Sequence, residues 1–97
     1  MNRWGFIYTL GDPDAPRQTA TVGSDACQLV CVGVPRVEDG PDAARDLIAQ
    51  GVELIELCGA FAGPGLAAVV AEVDGKVPVG AVFYGGEAAT GLSRLFG

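Results

Sequence analysis

The segment Gln28-Leu29-Val30-Cys31-Val32-Gly33-Val34 is apolar from Leu29 onward without alternation, and Pro35 closes it. A run this short, apolar on both faces, predicts a strand buried in a covered parallel sheet. From Asp39 the period changes. Asp39 suits an N-cap, Pro41 sits in the first turn, Ala44, Leu47 and Ile48 share one face, and Gly51 marks the stop. Val52 to Cys58 then reads as a second buried strand. Strand, helix and strand in so short a space form a right-handed crossover between parallel neighbours.

The rest of the chain extends this pattern. Trp4 to Thr9 is a first strand rich in β-favouring residues, ended by Gly11-Asp12-Pro13-Asp14-Ala15-Pro16. Thr19 to Val22 fits either a short edge strand or an extended excursion. After Gly63-Pro64-Gly65, the spacing of Leu66, Val69, Val70 and Val73 predicts a second amphipathic helix. Asp74-Gly75-Lys76 turns into a strand over Pro78 to Tyr84, and Ala88, Leu92, Leu95 and Phe96 outline a short terminal helix weakened by Gly91. The expectation is a single α/β domain over residues 1–97, a mostly parallel four-stranded sheet with helices packed on its faces, in the order β-β-α-β-α-β-α.

Composition limits the functions open to such a domain. A chain of 97 residues buries a smaller share of its surface than a larger one, and 49% of its residues are hydrophobic, so a homo-oligomer is expected. A net charge of −6 argues against nucleic acid and against an anionic membrane as partners, since both require concentrated cations. Neither a signal-peptide pattern nor a run of roughly 18 apolar residues is present, and a cytoplasmic protein is expected. Three cysteines without a close pair fit reduced thiols, and with no histidine neither a metal site nor a cofactor is expected.

In a sheet of this kind ligands bind at the carboxyl ends of the strands. That rim comprises Tyr8-Thr9, Pro35-Arg36, Cys58-Gly59-Ala60-Phe61 and Tyr84-Gly85-Gly86-Glu87. Alternation places Glu56 and Cys58 on one face of their strand, about 6.6 Å apart at roughly 3.3 Å per residue, where they could line one cavity. Desolvation would raise the pKa of Glu56 and suit it to acid–base chemistry. The competing reading gives Glu56 a hydrogen-bonding role or a pairing with Arg36, and makes Cys58 a small core residue. Arg36 could equally clamp a substrate carboxylate. Gly59, Phe61, Gly63 and Gly65 belong to a turn whose backbone could approach an anion. Gly63-Pro64-Gly65-Leu66-Ala67-Ala68 fits a dinucleotide fingerprint only formally, with glycines serving turn geometry as the favoured account. Tyr84 could orient a substrate, and Glu87 either joins it or favours the start of the last helix.

The stretches Val32-Gly33-Val34, Gly51 to Phe61 and Lys76 to Gly80 resemble a family of small uncharacterised bacterial α/β proteins of about this length. Its Glu-Leu-Cys-Gly signature falls on Glu56 to Gly59, and the resemblance implies no activity. A looser likeness to half-barrel and racemase-like units concerns fold alone, because the paired cysteines of a two-base thiol racemase are missing. Two functions follow as expectations. One is a cofactor-free isomerase, cyclase or lyase acting on a small carbonyl-containing metabolite, with Glu56, Cys58 and Tyr84 in the reaction and Arg36, Gly59, Phe61, Gly63, Gly65 and Glu87 holding the substrate. The other is a non-catalytic small-molecule-binding or oligomeric assembly module.

Overall fold

The computed structural model describes residues 1–97. In chain order it contains β1 (Arg3–Thr9), β2 (Gln18–Gly23), β3 (Gln28–Val34), α1 (Gly40–Ala49), β4 (Ile55–Leu57), α2 (Pro64–Val73), β5 (Val79–Ala81) and α3 (Ala89–Phe96). Single 3₁₀ turns at Val37–Asp39, Gly59–Phe61 and Gly86–Ala88 lead into the three helices. The strands form one sheet in the order β2-β3-β1-β4-β5. Only β2 runs antiparallel to its neighbour.

The sheet therefore has five strands, where the sequence predicts four. The stretch from Thr19 to Val22, open between two readings, is the core of an edge strand paired with β3 from Gln28 to Gly33. Its weak signal has a physical cause: every residue of β2 is exposed, so no buried face imposes alternation. β4 and β5 are shorter than expected. Val82 still donates to the Leu57 carbonyl at 2.8 Å, after which the chain leaves the sheet and Phe83 stands 86% exposed.

A second correction concerns α1 and α2, which lie on one face of the sheet and not on both. α1 lies against β1 and β3, α2 against β5, and the two helices pack together. Ile7, Val30, Val32, Val34, Ile55 and Leu57 point to that side and are buried with Ala43, Ala44, Leu47, Val69 and Val73. A Cβ on Gly5 would stand 2.8 Å from a Leu47 methyl, so glycine in β1 lets α1 settle close to the sheet. The reason for one-sided cover is topological. The chain passes from β3 over β1 to β4 and then to β5, always in one direction, and crossovers of one hand moving one way place their helices on one face. The only return, from β1 to β3, is made by β2 without a helix.

The amino end of the sheet is fastened by Glu53, just before β4. Its Oε1 accepts the Asn2 N–H at 2.6 Å and the Arg3 N–H at 3.2 Å, while its own N–H donates to the Arg3 carbonyl at 2.9 Å. The Arg3 guanidinium continues the network to the Gln50 carbonyl at 2.7 Å and to Gln28 Oε1 at 3.2 Å. The Asn2 N–H foremost, with the Arg3 N–H and the amino-terminal charge, holds the Glu53 carboxyl below its ordinary value of 4.5, against a smaller opposing effect of desolvation. A carboxyl depressed in the folded state stabilises above its unfolded pKa and loses that contribution as pH falls through the folded value. The gap in Tm between wild type and Glu53→Gln should therefore be full above pH 4.5 and close on acidification below it. A gap independent of pH would contradict this account.

Candidate functional site

The carboxyl ends of the strands do carry a cleft, of about 760 Å³. Thr9 at the end of β1 forms one wall, with Cys58, Gly59 and Ala60 directly after β4. Tyr84, beyond β5, and Leu92, Ser93, Phe96 and Gly97 from the α3 segment complete it. The Cys58 N–H donates to the Ile7 carbonyl at 3.0 Å, which ties this rim to β1. Phe61 and Ala62 then donate to Cys58 and Gly59 at 3.0 and 3.1 Å, folding the 3₁₀ turn back from the rim. A Cβ on Gly59 would meet the Tyr84 ring at 3.3 Å, so the glycine lets the phenol lie against bare backbone.

Of the sequence candidates, the cleft brings together Cys58, Gly59 and Tyr84. Glu56 does not line it. The burial pattern of β4 is buried, exposed, buried, so Glu56 projects from the helix-free side between Phe6 of β1 and Gly80 of β5. Cys58 instead is half-buried, packed against the core, and the two do not share a cavity. Nor does Glu56 pair with Arg36: the ion pairs are Arg17–Asp46, Arg45–Asp42 and Arg45–Glu72. Arg36 is exposed at the start of the first 3₁₀ turn, where its N–H donates to the Asp39 carboxylate at 3.2 Å.

Phe61 is wholly buried beneath the rim, a core side chain rather than a wall of the cleft. Gly63, at φ 75°, caps α2, and its carbonyl accepts the Ala67 N–H at 3.1 Å. A Cβ on Gly65 would stand 2.6 Å from a Val37 methyl, which accounts for this glycine by helix packing. Gly65 borders a separate, smaller depression of about 340 Å³. The Glu87 carboxylate folds back over Gly85 in the turn before α3, outside the cleft.

The sequence alone puts Thr9 and Ala60 on the rim with no particular role, and marks α3 only as a terminal helix. The available signal was the Leu92, Leu95, Phe96 stripe following a strand, which requires an apolar surface to lie against. Thr9, Ser93, Tyr84 and Cys58 give the cleft two hydroxyls, a phenol and a thiol, and no Asp, Glu, Lys or Arg side chain lines it. No group of three or more acidic, cysteine or histidine side chains is arranged to hold a metal ion, and no helix is long and apolar enough to cross a membrane.

Together these features define a class: a small α/β protein with its two longer helices on one face of a mixed sheet and, at the carboxyl edge, a cleft lined by no charged side chain. Within that class the chain belongs to a family of unknown function, DUF6506, whose model matches residues 2–97. No curated protein and no solved structure matches it.

The different settings of Phe61 and Arg36 predict different costs. Phe61→Ala should destabilise the fold by about 3–5 kcal/mol in urea unfolding, the range for emptying an aromatic core site. Arg36→Gln should stay within about 0.5 kcal/mol of wild type, as for a surface change away from special features. Reversal of that order would contradict the placement of both side chains.

Proposed function

We propose that the protein is a non-catalytic binding module, which takes a small, uncharged, largely apolar molecule with a hydroxyl or carbonyl group into the carboxyl-edge cleft. One observation carries this reading: a cleft of about 760 Å³, within the range of small-molecule sites, is walled by Ala60, Leu92, Phe96 and the Tyr84 ring and contains no ionisable carboxylate or cation on a side chain. An ionised ligand would meet no charged side chain there, and its desolvation is a cost that apolar walls do not offset. Thr9, Ser93, Tyr84 and Cys58 can each donate or accept one hydrogen bond to fix the orientation of a neutral ligand. General acid–base chemistry centred on Glu56 lacks this support, because its carboxylate lies on another surface.

The test is a titration by amide NMR with a panel of neutral cyclic ketones and alcohols set against matched carboxylates and phosphates. Neutral compounds should shift the resonances of Thr9, Gly59, Ala60 and Ser93 and be recovered unchanged. Ala60→Trp, which fills the cleft, should weaken binding at least tenfold, equivalent to about 1.4 kcal/mol. Glu56→Gln should leave affinity as it was. Binding abolished by Glu56→Gln but kept in Ala60→Trp, or preference for the anions, would overturn the proposal.

A further inference from the structure

The helix-free side of the sheet is a second apolar surface, independent of the cleft. Register places Trp4, Phe6 and Tyr8 of β1, Leu29 and Cys31 of β3, and Val22 of β2 on it. None of these six is buried, and the Phe6 and Tyr8 rings stack at 6.2 Å. Nothing lies within 4 Å of a Cβ built on Gly80, the neighbour of Glu56 on the same side. The strands set one ionised side chain, Glu56, on this face and no cation, so a polyanion has nothing to bind there.

The chain as a whole exposes more surface than a compact monomer of its size. A compact monomer of 9.9 kDa is expected to expose about 5,200 Å². This chain exposes 5904 Å², an excess of about 700 Å² over the whole molecule, to which Phe83, Leu95 and Phe96 also contribute, and a standard specific interface takes roughly 800 Å² per partner. The radius of gyration is likewise large, 13.8 Å against about 12.5 Å for a compact domain of this length.

We infer that this face is covered by the same face of a second copy of the chain, in a two-fold, sheet-on-sheet dimer. Two sheets stack about 10 Å apart with their inner side chains interdigitated, which suits an aromatic and aliphatic face. In an isologous contact one patch serves both partners, so no further complementary surface is needed. The aromatic side chains all lie on β1, with Leu29 and Cys31 of β3 beside them. Glu56 stands on β4 next to Phe6, and the open space over Gly80 on its other side leaves its carboxylate a path to water.

Sedimentation velocity on the full chain at tens of micromolar should give twice the 9.9 kDa mass. The double variant Phe6→Gln, Leu29→Gln should weaken association at least a hundredfold while keeping the wild-type circular dichroism. Trp4, the sole tryptophan, supplies a readout without mutation: its emission should shift to the red as the wild type is diluted through dissociation. A wild type monomeric at hundreds of micromolar would overturn the inference. So would a dimer unaffected by the double variant but broken by Leu95→Gln, Phe96→Gln, which would locate the contact on α3, or Trp4 emission that stays constant while the mass halves. Ligand binding in the cleft is measured separately and can fail or succeed on its own.

Discussion

A right-handed crossover leaves the chain no choice of face. Once β3, β4 and β5 are laid down in one direction across the sheet, α1 and α2 must fall on the same side. The buried core, the position of the rim and the bare aromatic surface all follow from that constraint. Doubly wound folds cover their second face by reversing direction through a helix. Here the return from β1 to β3 is made by the exposed edge strand β2, which contributes hydrogen bonds to the ladder and no side-chain layer.

The same constraint explains what could be read in the residues. Leu29 to Val34, Val52 to Cys58 and the two helical periods announce parallel strands and crossovers, because those segments bury apolar side chains in a fixed repeat. Their direction across the sheet is not encoded in periodicity. An unbroken apolar strand looks alike whether a helix, a second sheet or solvent meets its other face, so Leu29 and Cys31 suggested cover on both sides where the chain itself supplies one. β2 was ambiguous for the opposite reason, since with no buried residue its sequence carries little register information.

At the site, the location was legible and the cast was only partly so. The carboxyl edge follows from topology alone, and Cys58, Gly59 and Tyr84 do meet there. Glu56 drew attention as a carboxylate in an apolar strand, yet alternation between buried Ile55 and Leu57 sends it to the opposite surface. Phe61 and Gly65 belong to packing: one fills the core, and the other brings α2 close to Val37. The α3 residues were missed because a terminal helix gives no sequence clue to which edge it will roof.

Hydroxyl-radical footprinting of the chain at high dilution tests the one-sided architecture most directly, since it reads side-chain exposure residue by residue. The account predicts ready oxidation of Trp4, Phe6 and Leu29 and protection of Ile7, Val30, Leu47 and Phe61. Equal protection of both sets would mean that a helix covers the second face after all, and would contradict it.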